Sequence, residues 1–192
     1  MHLRIHAGSA PRGTIARPFA EGLWEVVSDR DAGGQAADVD ELFRRAVADA
    51  VEAPHRRSVV QALGVEIVQV HGRHPAMAAH VHVLPRHLDL LFDDGALVGF
   101  PLPDLLLAVP ITGYNRHPLV GAQVLQALLD EAAGISTQVY WWKPTAQELA
   151  PPVGALRRGH RPDLRPVAVT PRRNGGTDVV ADADFLELCQ RL

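Results

Sequence analysis

Cysteine is almost missing from this chain: Cys189 stands alone among 192 residues. One thiol excludes an internal disulfide framework and any cysteine-rich zinc site. Long apolar runs are missing as well. The longest candidate, residues 96–111, is broken by Pro101, Pro103, Asp104 and Pro110. A membrane-spanning helix needs about 18 or more consecutive apolar residues, so none is expected. The first twenty residues hold no continuous apolar segment, and no signal peptide is expected. There is no excess of positive charge. The net charge is -3 and the pI about 6.3, so the molecule as a whole is no general binder of polyanions. Aromatic residues make up 5% of the chain, and none interleave with the arginines of the C-terminal third. A stacking platform for single-stranded nucleic acid is therefore not expected there. Familiar catalytic signatures are also absent. The glycine-containing stretch His6–Gly13 lacks the Gly-Lys-Ser/Thr ending of a phosphate loop, and there is no Gly-x-Ser-x-Gly elbow and no His-Glu-x-x-His.

What is present is ordinary folding material. Hydrophobic residues are 47% and charged residues 21%, as in a folded cytoplasmic protein. The length suits a single globular domain, residues 1–192. The densest apolar stretch runs from Gly95 to Trp142. Within it, residues 96–100 and 105–109 are apolar at nearly every position, which predicts strands covered on both faces. His117 and Pro118 open a predicted helix over 119–133, with His117 as its cap and Gly121 allowing close approach to the sheet. Leu128 is expected at the centre of the core. An aromatic strand follows over 135–142.

Upstream, residues 3–5 and 22–28 read as strands, with a loop over 11–16. Residues 39–51 repeat apolar side chains at three- and four-residue steps. Asp38 and Glu41 have capping-box spacing, so a helix packed on the sheet is predicted. Residues 65–70 and 78–84 read as a hairpin turning at His71–Pro75. Downstream, residues 144–166 form a basic, proline-rich connector. A peripheral hairpin (166–170 with 177–181) and a short helix from Ala183 close the chain. The expected fold class is α+β: a mixed, largely antiparallel sheet with two main helices packed on it.

Chemistry concentrates in the histidines. His71, His74, His80 and His82 lie close in sequence, and His80 and His82 share one face of the strand expected there. Imidazoles with an added carboxylate, Glu66 or Asp89, form the kind of set that holds zinc with an open position. The alternative is a polar rim on the wet side of a hairpin. Arg157, Arg158 and Arg161, with Arg165, Arg172 and Arg173, give the C-terminal third a positive bias. Trp141 and Trp142 point to opposite faces, so an outward ring would serve as a contact anchor. Cys189 reads as a small packed residue.

Three blocks together resemble a known family. They are Ala16–Val27 (ARPFAEGLWEVV), Asp38–Ala50 (DVDELFRRAVADA), and Gly95–Ile111 followed by Gln138–Trp142 (QVYWW). In this order they are similar to the YtpQ-like family of bacterial proteins, particularly its actinobacterial members. The resemblance covers roughly residues 16–142. It implies a shared fold and carries no activity. The family's strand pair has a charged residue after the proline, where this chain has Leu102, with Asp104 two positions on.

The expected function is a non-catalytic, cytoplasmic bacterial interaction protein, an immunity-type or regulatory partner of another protein. It would use no cofactor and touch no membrane. Interaction would run through Trp141, Trp142, Arg157, Arg158 and Arg161. Two alternatives stand beside it. One is a metal-dependent hydrolase using the histidine cluster on a hairpin. The other is nucleic-acid binding through the arginine-rich segment.

Overall fold

The computed structural model describes residues 2–6, 12–20, 23–26, 36–74, 76–88, 94–113, 115, 117–132, 136–145, 162–171 and 177–192. Its centre is a seven-stranded sheet, antiparallel at every pairing, built from β4 (His55–Ala62), β5 (Val65–Gly72), β6 (Ala96–Leu102), β7 (Leu105–Pro110), β8 (Val139–Trp142), β9 (Leu164–Pro171) and β10 (Thr177–Val180). The order across it is β10-β9-β8-β6-β7-β5-β4. A second, three-stranded sheet is formed by β1 (His2–His6), β2 (Arg12–Ala20) and β3 (Leu23–Val26). The fold is α+β, as expected. Of the loop expected over 11–16, residues 12–16 are instead part of β2, where Gly13, Thr14 and Ile15 pair with β1.

Both faces of the large sheet are covered, which is why its central strands are apolar throughout. On one face lie α2 (Pro118–Ala132) and α3 (Ala183–Arg191). Leu125, Leu129, Phe185 and Leu188 meet Leu97, Leu107, Val109 and Trp141 there. On the other face Val68, Val70, Val98, Leu106, Tyr140 and Trp142 meet a 3-10 segment, Met77–Arg86. Full burial of one large aliphatic or aromatic side chain contributes about 1.5–3 kcal/mol, so these two layers carry the fold. Leu125 and Leu129 are fully buried while Leu128 is only half-buried. The core positions of α2 are therefore three residues before and one residue after the one the repeat suggested. Gly121 does bring α2 close: a Cβ there would stand 3.1 Å from Val109 and 3.2 Å from Leu97.

The aromatic strand ends in two adjacent tryptophans, both buried. Trp141 joins the α2–α3 side and Trp142 the opposite side. Neither ring is exposed as a contact anchor, because each face of β8 is roofed. The C-terminal hairpin stands at the edge of the sheet, yet β9 pairs directly with β8 and α3 plants Phe185 in the core. The arginines proposed for contact, Arg157, Arg158 and Arg161, lie outside the described residues. So do Arg172 and Arg173.

Two local expectations change. First, residues 78–84 are not a strand. They sit in the 3-10 segment, two short turns separated by Val83. The hairpin partner of β5 is β4, joined by a two-residue turn with positive φ at Leu63 and Gly64. A 3-10 turn repeats every three residues. Ala78, Val81 and Leu84 form the row facing the sheet, and Ala76, Ala79 and Val83 face α1 (Ala36–Glu52). With both sides buried there is no wet face, so period-two alternation in AAHVHVL was coincidental. Second, α1 packs its Phe43, Ala46, Val47 and Ala50 stripe on this 3-10 segment and not on the large sheet. It begins at Ala36, which puts Asp38 inside the first turn, and Glu41 pairs with Arg44 at 2.7 Å and Arg45 at 2.9 Å. These exposed pairs contribute at most about 0.5 kcal/mol each.

Candidate metal centre

The third row of the 3-10 segment carries Met77 and His80. Met77 is seated against β5 through Gly72, where a Cβ would stand 2.9 Å from the Met77 sulfur and 2.7 Å from the Pro54 carbonyl. Its backbone N–H donates to the Pro103 carbonyl, and that of Gly72 to the Asp104 carbonyl. The β6–β7 turn thus clamps the start of the segment against the end of β5. Gly72 pairs with His55, the first residue of β4. The clamp therefore brings His80 to His55. Pro85 and the last 3-10 turn carry the chain round to His87, whose N–H donates to Leu84.

The result is a group of three imidazoles. One ring nitrogen from each of His55, His80 and His87 lies within 4.8 Å of the others. His80 Nδ1 and His87 Nε2 are 2.8 Å apart and share a proton in a hydrogen bond. Ring centroids are separated by 4.4 Å (His55–His80), 4.8 Å (His80–His87) and 5.5 Å (His55–His87). Three imidazoles bound tetrahedrally to one zinc, with bonds of about 2.0–2.1 Å, have nitrogens about 3.4 Å apart and centroids about 5 Å apart. The arrangement fits after small movements.

The tautomer of His55 suits this role. His55 Nδ1 lies 2.9 Å from the Ala53 carbonyl, so it donates there and leaves the Nε2 lone pair for the centre. A carbonyl on the remote nitrogen is the common way to orient a ligating histidine. His80 is fully buried, and its Nε2 has no hydrogen bond of good geometry. Burial, the neighbouring His87 and His55, and Arg86 push its pKa down to about 3, against a small opposing effect of the Ala50 backbone. Burial, His55, Arg57 and Arg86 likewise push His87 down to about 4. Both rings are neutral at pH 7, the form that binds metal. His55 is exposed and marks the open side of the group.

Of the four histidines singled out in the sequence, only His80 belongs to this group. His71 shares the face of β5 with Val65 and Ile67, the side away from the 3-10 segment. His74 accepts from the Ala76 N–H at 3.2 Å, and burial lowers its pKa. His82 is half-buried with its ring edge-on to Phe43 at 5.7 Å. Glu66 is exposed at the start of β5, where its backbone meets Asn115. Asp89 lies outside the described residues. His55 and His87 were missed because β4 went unread and the spacing 55–80–87 matches no short motif. The available signal was the Leu63–Gly64 turn between two β-rich runs, which would have placed His55 opposite Gly72.

The remaining polar groups are structural. His117 caps α2 as expected, accepting from the Leu119 N–H at 3.2 Å, and donates from Nε2 to the Cys189 carbonyl at 2.7 Å. Burial pushes the Cys189 thiol up to about 11, so it is no nucleophile at neutral pH. Arg165 binds Asp163 at 2.9 Å, Asp182 at 2.7 Å and Asp184 at 2.8 Å, and lies 5.3 Å from the Trp141 ring centre. Among the described residues no helix is long and apolar enough to cross a membrane. In comparisons with models of known protein families, with curated proteins and with solved structures, the chain matches none.

Proposed function

We propose that this chain is a metal-dependent hydrolytic protein whose centre holds a zinc-class divalent ion on His55, His80 and His87. The observation that carries this reading is the convergence of three ring nitrogens within 4.8 Å, two of the rings buried and one at the surface. Structural zinc sites are closed by four protein ligands, whereas three ligands and an open position are the pattern of catalytic ones. An ion bound this way lowers the pKa of its water to about 7, supplying a hydroxide nucleophile at neutral pH. The chain's own part is to hold the rings neutral and oriented, with access from the His55 side. No comparable observation favours the interaction reading, since Trp141 and Trp142 are core residues.

The test uses untagged protein loaded with cobalt(II), whose visible absorption reports tetrahedral coordination. One ion per chain is expected. His87→Ala and the surface change His55→Ala should each weaken binding at least a hundredfold. His71→Ala and His74→Ala should leave it unchanged. Equal losses at His71 or His74, or no stoichiometric binding, would sink the assignment. Zinc-loaded protein should also turn over members of a panel of nitrophenyl esters and phosphates, with activity lost in His55→Ala. Metal binding without any turnover would remove the hydrolytic half of the reading.

A further inference from the structure

We infer that the C-terminal end of α1 orients this metal centre: the carbonyls of Ala53 and Ala50 take the remote N–H groups of His55 and His80, His80 meets the ion through Nδ1, and Pro54 is the positioning residue that keeps the Ala50 carbonyl free. The inference rests on the metal assignment above and adds the groups that aim its ligands. His55 Nδ1 donates at 2.9 Å to the carbonyl of Ala53, the residue just past the helix. His80 Nδ1 lies 2.8 Å from His87 Nε2 and so faces the centre. The other nitrogen of that ring, Nε2, is fully buried and without a hydrogen-bond partner. A buried N–H left unpaired is costly, so this atom calls for an acceptor. The Ala50 carbonyl is the acceptor at hand. Ala50 packs in one cluster with Ala79, the neighbour of His80. Its backbone acts on the His80 ring in an alignment short of a full hydrogen bond.

The sequence leaves that carbonyl without its helical donor. A helical carbonyl accepts from the N–H four residues on, and four residues after Ala50 stands Pro54, which has none. The carbonyl one place earlier, that of Asp49, is taken by the Ala53 N–H at 3.0 Å. The charge of this helix end points the same way. A helix C-terminus carries about half a negative charge and favours a cation beside it. The last turn of α1 has no basic residue, and Asp49 and Glu52 stand there instead. An ion on His55, His80 and His87 would supply the cation that the turn lacks. No carboxylate joins the three rings among the described residues, so the helix end would be the negative partner of the ion. A carbonyl on the remote nitrogen also makes an imidazole a stronger ligand.

The experiment records the imidazole nitrogens of untagged, nitrogen-15-labelled protein by NMR, before and after zinc. With zinc, His55 should be ligated through Nε2 with its proton on Nδ1. His80 should be ligated through Nδ1, with a slowly exchanging proton on Nε2. Ligation of His80 through Nε2 would overturn the inference, as would an Nε2 proton that exchanges as fast as those of exposed imidazoles. The second arm is Pro54→Ala, which gives residue 54 an N–H that bonds back to the Ala50 carbonyl and competes with His80. Cobalt affinity should fall about tenfold, while the urea midpoint of the metal-free chain stays level or rises. A purely structural proline would lower affinity and midpoint together, and that result would remove Pro54 from the role. Unchanged cobalt affinity would do the same. Zinc that shifts no histidine signal is a different failure, that of the metal centre itself.

Discussion

Two polar clusters sit on opposite sides of the large sheet, and they are built on opposite rules. At the α3 side Arg165 is surrounded by Asp163, Asp182 and Asp184, and Lys143 reaches Asp184 at 2.7 Å. The Asp163 carboxylate foremost, then those of Asp184 and Asp182, hold the guanidinium charged, and Lys143 and Arg165 hold the Asp184 carboxyl below its usual range. Every charge there has its opposite within reach. At the 3-10 side no carboxylate joins the converging rings of His55, His80 and His87 among the described residues. The first cluster is complete in itself and fastens β9 to the start of α3. The second, on the function proposed above, would be completed by a metal ion. A closed cluster belongs to the fold, whereas an open, buried one is where function is to be sought.

Ways to break the comparison follow in order of size. The closed cluster lies over Phe185, whose ring is 5.4 Å from that of Trp141. Phe185→Ala should cost about 3–5 kcal/mol, measured by urea unfolding. A shift under 1 kcal/mol would make α3 an ornament and not part of the core.

The open cluster should respond to acid. In metal-free protein, His80 and His87 have pKa values of about 3 and about 4, below the ordinary 6.5. The unfolded chain then binds more protons than the folded one between those values. Stability is fully present above pH 6.5 and falls as pH drops toward 4. A tenfold change in proton affinity corresponds to about 1.4 kcal/mol, so the loss from pH 7 to 5 is on the order of 2–4 kcal/mol. Equilibrium unfolding at both pH values, repeated on His80→Ala, isolates the contribution. A profile flat through this range would show that the pair is not held neutral.

Zinc should reverse the difference between the clusters. At a free concentration a hundred times its dissociation constant, it should stabilise the fold by about 2.7 kcal/mol. Arg165→Met should leave that increment untouched. Within the closed cluster, Asp182 also caps α3 by accepting from the Phe185 N–H at 2.9 Å. Asp182→Ala should cost about 0.5–2 kcal/mol, and Asp163→Asn less, since Arg165 keeps two other partners. The smallest effect belongs to the turn that positions β4. Leu63 has a φ of 52° and is 85% exposed. Leu63→Asn should raise stability by about 0.5–1 kcal/mol, because asparagine tolerates this conformation better.

The sheet and its helices were legible where burial leaves a mark in composition. Residues 96–100 and 105–109 are apolar on both parities because both faces are roofed, and His117 with Pro118 announced α2. Legibility failed where a segment is buried on all sides. Residues 78–84 look like a strand by alternation, and only the packing rows of Ala78, Val81 and Leu84 reveal a repeat of three. The candidate site failed in part for the same reason. The cluster read from sequence used proximity along the chain, and His71 proved to lie across the sheet from His80. His55 is drawn in by the pairing of β4 with β5, a tertiary fact that no spacing rule encodes.

The distance along the chain between His55 and His87 has a mechanical meaning of its own. An ion bound to both ends and to His80 would cross-link residues 55 through 87, a loop of 33 residues. By the chain-entropy relation used for disulfides, closing a loop of that length removes about 3–4 kcal/mol of freedom from the unfolded state. With a lone cysteine the chain has no covalent means of making such a tie. The metal would be its clasp.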